Sequence, residues 1–483
     1  MPNCSKFRAI SREFARRQIS LNGGGAVIVM KFGGTSVEDS TAIDRIAGIV
    51  KGRLTEHPLV VVSAMSKVTD TLLAMAAAAG NGDKDKALEL CRQVRERHFN
   101  TAGELLGTGL FTELHSELHA EFDSLEQLLR GISAVGELTP RTSDYVVSFG
   151  ERLSSIVITA AFVARDIPAT LLDARKVIIT DGQHGRAIPQ VDEVNHNLEV
   201  HAQPLIASGR VPVMGGFIGS TREGITTTIG RGGSDFSAAL AGAGLNAERI
   251  EIWTDVDGMK TTDPRICPDA HRIKIISFDE AAELAYFGAK VLHPATVLPA
   301  VERNIPVLVL NSRNPSNEGT RVVARTQKSK SLFKAIAAKQ RITIIEIVAA
   351  RMLMAHGFLA KVFEIFERHR CAVDIVSTSE VSISVTVDSN EAIPAIAADL
   401  EKLAYVKFSG RQAIICLVGE SIRERPGVAA QVFDAVKDIN VRMISQGASE
   451  INMSFVIEEA DVPAAIQRLH ARFFSEVDPE VFD

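Results

Sequence analysis

The stretch that decides the fold is Met214-Gly-Gly-Phe-Ile-Gly-Ser220, followed by Thr226-Thr-Thr-Ile-Gly-Arg-Gly-Gly-Ser-Asp235. An apolar run beginning at Val211 ends in the first glycines, which is typical of a short buried strand. The second group precedes an alanine- and leucine-rich helical segment, and Ser234 or Asp235 is suited to cap that helix. Glycines let backbone N–H groups approach an anion closely, and a helix start adds partial positive charge. The stretch therefore predicts a site for an anionic small molecule.

A second glycine-rich turn, Lys31-Phe-Gly-Gly-Thr-Ser36, follows an apolar strand near the start of the chain. It begins with a lysine, whereas the first stretch carries Arg231, whose planar guanidinium suits a carboxylate or a phosphate. The alternative is a pair of glycine-rich loops without a role in binding, since such loops are common. Two strand-ending loops with one cation each favour a site that binds a nucleotide and a carboxylate substrate together.

The composition excludes several classes of protein. The chain has 483 residues, of which 46% are hydrophobic, enough for two or more domains with buried cores. Its formal net charge of −6 gives no general attraction to nucleic acid or to a membrane, so neither is expected as a partner. No apolar run reaches the roughly 18 residues that a membrane helix needs. The five cysteines are far apart and never in CxxC spacing, which favours reduced thiols and no metal site.

Residues 1–26 are predicted to be a disordered extension. Basic residues are frequent there, and Glu13 is the single acid. A transit peptide has this bias, but so does a disordered leader. We favour the leader and expect the protein in the cytoplasm rather than in an organelle.

Strand and helix patterns alternate along residues 27–325, as in an α/β domain with a mainly parallel sheet. Residues 83–131 read as an inserted helical pair without a catalytic role. Thr69 follows a strand, and its hydroxyl could bind substrate or cap a helix; the spacing alone favours capping. Glu151 lies in a Gly-Glu-Arg sequence before a helical pattern, where an acid is ordinary helix-dipole chemistry.

A repeat replaces the glycine loops after about Lys330. Gly357-Phe-Leu-Ala-Lys-Val-Phe363 and Gly427-Val-Ala-Ala-Gln-Val-Phe433 have an offset of 70 positions, and Ser379-Glu380 and Ser449-Glu450 have the same offset. Each unit reads as strand, helix, strand, turn, strand. We predict two small α/β units, at residues 333–410 and 411–483, with an early strand near 335–348 that could belong to the second. Such a tandem suggests a sensor.

Several motifs, in order, resemble those of the aspartate kinases of the amino-acid-kinase superfamily, from about Val27 to the end of the chain. They are Lys31-Phe-Gly-Gly-Thr-Ser-Val37, Phe149-Gly-Glu-Arg-Leu-Ser154, Gly230-Arg-Gly-Gly-Ser-Asp235, Thr254-Asp-Val-Asp-Gly258 and Thr262-Asp-Pro-Arg265. The tandem units resemble the ACT domains of monofunctional, lysine-sensitive forms. The resemblance implies an α/β fold, an amino-acid-kinase αβα sandwich with a mainly parallel sheet, followed by two ferredoxin-like βαββαβ ACT domains.

The resemblance also implies a reaction. ATP would phosphorylate the side-chain carboxylate of L-aspartate, giving ADP and 4-phospho-L-aspartate, the first step of lysine, threonine and methionine biosynthesis. Mg²⁺ would bridge the phosphate oxygens. A carboxylate is already a nucleophile, so this transfer needs charge neutralisation and in-line positioning more than a strong base. L-lysine is the implied effector, acting in a homodimer or homotetramer formed through the ACT domains.

Residue roles follow from the same resemblance. Lys31 would lie between the transferring phosphoryl group and the attacking carboxylate, and Asp235 would hold it there. Arg231 would bind the α-carboxylate of aspartate, and Glu151 would bind its ammonium group.

The remaining implied residues complete three binding sites. Thr69 and Ser234 would contact aspartate, which makes substrate binding the better interpretation of Thr69. The residues implied for the nucleotide are Lys31, Gly33, Gly34, Ser36, Gly233, Thr254, Asp255, Asp263, Arg265 and Lys290. Those implied for the effector are Met352, Val373, Asp374, Ser379 and Glu380. Two positions depart from the family pattern, since Lys260 stands where many relatives have tyrosine and Ala355 replaces a serine of some lysine sites.

Two other interpretations stay open at this point. The same fold could phosphorylate glutamate, acetylglutamate or a nucleotide, although Arg231 together with Glu151 favours a zwitterionic amino acid. The chain could also be a catalytically inactive ACT-based sensor, but the retained Lys31, Asp235 and Arg231 argue against this interpretation.

Overall fold

The computed structural model describes residues 26–288, 294–326, 330–349 and 356–483. Three residues singled out from the sequence, Lys290, Met352 and Ala355, lie outside the described residues. So do residues 1–25 of the predicted extension.

The catalytic-motif region, up to residue 326, is built on a mainly parallel sheet. Its strands are β1 (Ile28–Phe32), β2 (Pro58–Val62), β3 (Ala169–Leu171), β4 (Val211–Gly215), β5 (Ile218–Ser220), β6 (Thr226–Thr228), β7 (Arg249–Thr254), β8 (Ile275–Ser277), β9 (Val307–Asn311) and β10 (Thr320–Val323). Eight of the described strands form one sheet in the order β3-β4-β2-β1-β7-β9-β10-β8, and β5 and β6 form a separate hairpin. Neighbours in the large sheet are parallel except β9 and β10.

Helices cover both faces of this sheet. They are α1 (Ser40–Lys51), α2 (Val68–Gly80), α3 (Lys84–Leu105), α4 (Thr108–Val135), α5 (Pro140–Val163), α6 (Val191–Asn197), α7 (Gln203–Ala207), α8 (Gly233–Gly244), α9 (Phe278–Tyr286) and α10 (Leu298–Glu302). Side chains alternate between the two faces of a strand. Val29 of β1 therefore joins a core with α8, whereas Ile28 and Met30 join a second core with α1 and α5. This is the αβα sandwich expected from the sequence.

Helix α5 is a core helix, although by length and composition it could cross a membrane. An 18-residue window of it has a mean hydropathy of 1.5, so the prediction that no apolar run is long enough overlooked this segment. Of that window, 78% is buried inside the protein. The helix also carries buried Asp144 and Glu151, which point to a role in the interior of the catalytic region.

The second region has an antiparallel sheet in the order β12-β13-β11-β14-β16-β15. Its strands are β11 (Ala335–Val348), β12 (Val373–Thr378), β13 (Ser382–Asp388), β14 (Tyr405–Val418), β15 (Met443–Gln446) and β16 (Asn452–Glu458). Its helices are α11 (Phe358–Arg368), α12 (Ile393–Leu400), α13 (Val428–Ala435) and α14 (Val462–Phe473).

Strands β11 and β14 run through both repeat units. The first part of β11 pairs with Ile414–Val418, whereas its second part pairs with the start of β14 and with β13. The predicted boundary between residues 410 and 411 therefore cuts a continuous strand, and the exact domain limits stay a prediction. The first unit has a core of its own, around Ile345, Phe366 and Val385. The core of the second unit is continuous with the catalytic region.

Candidate active site

A cavity of about 530 Å³ opens at the carboxyl ends of the central strands. Its walls come from the loops after β1 and β2, from the middle of α5, and from the loop that leads into α8. The two glycine-rich stretches of the sequence thus meet in one place. This is where doubly wound sheets bind ligands, because parallel strands end together at the same edge.

Lys31 and Asp235 form an ion pair in this cavity. Lys31 lies near the end of β1, and its Nζ is 2.7 Å from Asp235 Oδ1. The two side chains are only 11% and 15% exposed. The pair therefore holds the ammonium group at the cavity wall, as the resemblance implies.

Helix α8 begins at Gly233, and Gly232 is its N-cap with a φ of 74°. The prediction that Ser234 or Asp235 caps this helix is wrong. Both lie in its first turn, because the chain turns through a left-handed conformation that glycine adopts without strain. Arg231 directly precedes this turn and is exposed at the cavity. The free N–H groups of a first turn favour an anion here.

Two glycines at the end of β4 let neighbouring elements pack closely around the cavity. A Cβ on Gly215 would lie 2.9 Å from Glu151 Cβ, and one on Gly216 would lie 2.6 Å from Ser234 Cα. Both distances are under 3.0 Å, a separation that real Cβ atoms essentially never show. The absence of side chains at these two positions therefore lets α5 and α8 each pack closely against the end of β4.

Glu151 lies in the middle of α5 and not at a helix start, so the helix-dipole interpretation is wrong. Its Oε1 accepts a hydrogen bond from the Ala64 N–H at 3.2 Å, and its buried Oε2 has no hydrogen-bond partner among the described residues. Burial raises the pKa of Glu151 to about 8, while the Ala64 hydrogen bond and nearby Lys31 act in the opposite direction. A buried carboxylate with an open oxygen beside a cavity is suited to a cationic ligand group.

Thr69 lines the cavity and is not a cap. Helix α2 begins at Val68, and its N-cap is Lys67, in a left-handed conformation with a φ of 68° and without a side-chain cap bond. Lys67 also lines the cavity, and the sequence analysis did not identify it. A lysine in this conformation is uncommon, and only the tertiary structure reveals it.

Arg97 of α3 holds two loops of the cavity together. Its Nη1 donates to Ser66 O and its Nη2 to Glu38 O, each at 2.7 Å. The loops are also joined directly, because the Ser66 N–H donates to Gly34 O at 3.1 Å. The predicted helical pair is confirmed as α3 and α4, but it does support the site through this arginine.

Asp144 is a further residue that the sequence analysis missed. It is buried in α5 and accepts hydrogen bonds from Thr228 Oγ1 at 2.5 Å, from the Gly185 N–H at 3.0 Å and from His184 Nδ1 at 2.8 Å. Thr228 ends β6, and the chain reaches Arg231 three residues later. Asp144 therefore anchors the strand that presents Arg231.

The residues predicted for the nucleotide are only partly brought together. Those that line the cavity are Lys31, Gly33, Gly34, Gly233 and Thr254. Ser36 is instead fully buried, with its Oγ 2.8 Å from Ser312 Oγ. Asp255 is exposed, and Asp263 and Arg265 form an ion pair of 2.6 Å with each other. These four residues are not part of the cavity lining.

Of the residues predicted for the effector, Val373 and Asp374 lie on β12, and Ser379 and Glu380 lie in the turn that follows it. The Asp374 side chain is 2% exposed, and its Oδ1 accepts hydrogen bonds from Lys339 Nζ at 2.8 Å and Tyr286 Oη at 2.7 Å. Val373 is half-buried, and Ser379 and Glu380 are exposed. Asp374 thus already has partners within the chain, which the sequence did not indicate.

The sequence matches two known domain families and several known proteins. Residues 26–311 match the amino acid kinase family, and residues 345–399 and 415–473 match an ACT domain. The chain is 37% identical to lysine-sensitive aspartokinase 3 of Escherichia coli (strain K12), over 93% of this chain and 99% of that protein. It is 38% identical to the chloroplastic aspartokinase 1 of Arabidopsis thaliana, over 94% of this chain and 81% of that protein.

Solved structures agree with the sequence comparison. The fold matches E. coli aspartokinase III in complex with lysine and aspartate, in the T-state, with a TM-score of 0.81 and 37% identity over 93% of this chain and all of that chain. It also matches E. coli aspartokinase III in complex with aspartate and ADP, in the R-state, with a TM-score of 0.79 and 36% identity over the same shares.

The chain belongs to the amino acid kinase family. Its catalytic domain and ACT domains are together those of an aspartokinase, an enzyme that phosphorylates aspartate under allosteric regulation. The fold class and the reaction expected from the motifs are confirmed. The alternative acceptors and the inactive sensor lose their support.

Proposed function

We propose that the cavity around Lys31 and Asp235 binds L-aspartate and ATP together and transfers the γ-phosphoryl group to the aspartate side chain. The observation that carries this proposal is the 2.7 Å ion pair at the wall of a cavity lined by both glycine-rich loops. The Lys31 ammonium would offset the negative charge of the transferring group, which matters most in the transition state. Asp235 would keep that ammonium in place.

Aspartate would be bound through its α-carboxylate and its α-ammonium group. Arg231 at the cavity would take the α-carboxylate in a bidentate contact. Glu151 would take the α-ammonium, since it lines the cavity and its buried Oε2 has no hydrogen-bond partner among the described residues. Thr69 and Ser234 would complete the pocket from the first turns of α2 and α8. The binding of a cation would favour the ionised form of Glu151 and lower its raised pKa.

The nucleotide phosphates would lie against the backbone of Gly33, Gly34 and Gly233. The described residues contain no group of three or more His, Cys, Asp or Glu side chains placed to hold a metal ion. Mg²⁺ would therefore arrive bound to ATP and be held mainly by phosphate oxygens and water, as is usual for this ion. Asp255, Asp263, Arg265 and Lys290 remain proposed for the outer part of the nucleotide.

Regulation would use the tandem units, with residues 27–325 as the catalytic domain and 333–410 and 411–483 as ACT units that share β11. L-lysine would bind the first unit at Asp374, with Met352, Val373, Ser379 and Glu380. The lysine sensitivity in the name of the E. coli relative supports this choice. Asp374 has apolar Ile444 as its counterpart 70 positions later, so the first unit alone offers a carboxylate there.

The assembly would be a homodimer or homotetramer formed through the ACT domains, in the cytoplasm. The first unit exposes large apolar side chains on α11 and β12, which such an assembly would cover. These are Leu359, Phe363 and Val376.

One assay tests the acceptor and the effector together. ADP release is measured with aspartate, glutamate, acetylglutamate or UMP as acceptor, and the aspartate reaction is repeated with added L-lysine or L-threonine. We expect turnover with aspartate and inhibition by L-lysine. Inhibition by L-threonine alone would contradict the proposed effector and leave the proposed catalytic site intact.

A further inference from the structure

Helix α9 of the catalytic domain contacts the regulatory region through three side chains spaced three residues apart. Glu280 forms an ion pair of 3.0 Å with Lys334, and both side chains are almost fully buried. Glu283 accepts hydrogen bonds from the second ACT unit, and Tyr286 donates to Asp374 of the first unit at 2.7 Å. Asp374 is therefore in direct contact with the catalytic domain, through Tyr286.

The Asp374 carboxylate is shared by two donors from the same chain. Its Oδ1 is 2.8 Å from Lys339 Nζ and 2.7 Å from Tyr286 Oη. Its Oδ2 is buried and has no hydrogen-bond partner among the described residues. Lys339 Nζ also lies 5.2 Å from the centre of the Tyr286 ring, so the cation contacts both partners. An internal ammonium thus occupies the position that the proposed effector needs.

Lys339 has a second anion within reach. Asp388 Oδ1 lies 3.0 Å from Lys339 Nζ, and the Asp388 side chain is 60% exposed. If the Lys339 ammonium moved away from Asp374, it could stay paired with Asp388 near the sheet surface, with little loss of electrostatic energy. The second unit has no carboxylate at the position related to Asp374 by the repeat, since apolar Ile444 stands there and is half exposed.

We propose that Lys339 is a built-in competitor of the effector. In the effector-free enzyme its ammonium neutralises Asp374 and holds it against Tyr286 of the catalytic domain. A free basic amino acid acts by displacing that ammonium from Asp374 towards Asp388, because two ammonium groups at one shielded carboxylate repel each other. The displacement changes the contact between the first ACT unit and α9. This inference rests on the proposed lysine site.

The decisive variant is Lys339→Met, which keeps an unbranched apolar stem but removes the charge. Calorimetric titration of the full-length enzyme with L-lysine measures the dissociation constant. We expect binding to tighten by about tenfold, since the competing cation is gone. The matched control is Lys407→Met on β14, whose side chain is 63% exposed and whose ion pair with Glu346 is 4.0 Å long. The control should bind L-lysine like the wild type.

A second variant tests the same idea from the opposite side and does not depend on Lys339→Met folding. Asp388→Asn removes the alternative anion at an exposed position, so Lys339 should stay on Asp374 and L-lysine binding should weaken by a few fold, on the order of 3-fold. Unchanged or weaker binding in Lys339→Met, or tighter binding in Asp388→Asn, would overturn the competition. A wild type that binds no L-lysine would instead remove the proposed effector site, on which the inference rests.

Discussion

Two lysine–aspartate ion pairs of nearly equal length occur in the two halves of the molecule. Lys31 and Asp235 are 2.7 Å apart, and Lys339 and Asp374 are 2.8 Å apart. The first pair lies at the wall of a cavity, so a ligand can reach the ammonium while the aspartate keeps it in place. In the second pair the aspartate is also bound by Tyr286 of another domain. The same chemical pair lines the proposed catalytic cavity in one setting and contacts another domain in the other, because its neighbours differ.

A third pair shows what the surroundings contribute. Lys51 and Asp166 are 3.8 Å apart, and their side chains are 53% and 93% exposed. Exposed pairs of this kind are typically worth about 0–1 kcal/mol. It is therefore the natural reference against which both shielded pairs can be tested.

The largest expected effect comes from breaking the catalytic pair. Lys31→Ala should lower kcat by about 10²–10³-fold while leaving aspartate binding mostly intact, because the lysine charge acts mainly in the transition state. Steady-state kinetics and calorimetry with aspartate measure the two quantities. Lys51→Ala, the same truncation in the exposed pair, should keep wild-type kcat. A Lys31→Ala enzyme with more than about a tenth of wild-type kcat would exclude the lysine from this role.

The next effect concerns the cavity beside the catalytic pair. Arg231→Lys should raise the aspartate KM by roughly 10–100-fold, since lysine keeps the charge but loses the bidentate fork. The ATP KM should change little. The matched control is Arg222→Lys. Arg222 lies in the turn between β5 and β6, and its side chain is paired with Glu193 at the protein surface. A rise in the ATP KM instead would make Arg231 a phosphate ligand.

Breaking the regulatory pair should affect control and not the chemistry. Asp374→Ala should shift the midpoint of L-lysine inhibition by about tenfold or more, because the effector loses the carboxylate that its ammonium would bind. Ile444→Ala makes a truncation at the repeat-related position of the second unit and should keep the wild-type inhibition curve. Equal shifts in both variants would show that the two units do not differ in the way proposed here.

The smallest expected effect concerns Glu151, a buried carboxylate in the cavity that has no lysine at ion-pair distance among the described residues. Its raised pKa of about 8 means that only the minority ionised form can bind an ammonium at neutral pH. The wild-type kcat/KM for aspartate should therefore rise by up to about tenfold between roughly pH 7 and 9, and Glu151→Gln should flatten that rise. The same slope in both enzymes would assign the titration to another group.

Glu151 also predicts a dependence of stability on pH. Its folded pKa of about 8 lies above the ordinary value of 4.5, so its stabilising contribution is present at low pH and is lost as the pH rises through 8. Denaturant titration at about pH 5 and about pH 8.5 measures the free energy of unfolding of both proteins. The value for the wild type minus the value for Glu151→Gln should be smaller at the higher pH.

The sequence by itself indicated the fold class and the centre of the candidate site, and the resemblance of its ordered motifs to those of the aspartate kinases implied the reaction. The glycine loops, buried strands and the 70-residue repeat are local patterns, and a local pattern specifies the backbone it can adopt without reference to distant residues. For that reason Lys31, Arg231 and Asp235 could be singled out and then found together. Asp374, the carboxylate proposed to bind the effector, was likewise visible as a difference between the two repeats.

Only the tertiary structure decided which residues support or occupy these sites. Asp144 contacts Thr228 across 84 positions, Arg97 contacts Ser66 across 31, and Lys339 reaches Asp374 across 35. None of these contacts has a spacing that marks it in the sequence, because they depend on how helices and strands from separate segments pack. The same reason explains why Ser36 is buried against Ser312 instead of lining the cavity, and why Gly232 rather than Ser234 is the N-cap of α8. The type of each residue determines what chemistry its side chain can perform, and the packing of the chain determines which residue it contacts.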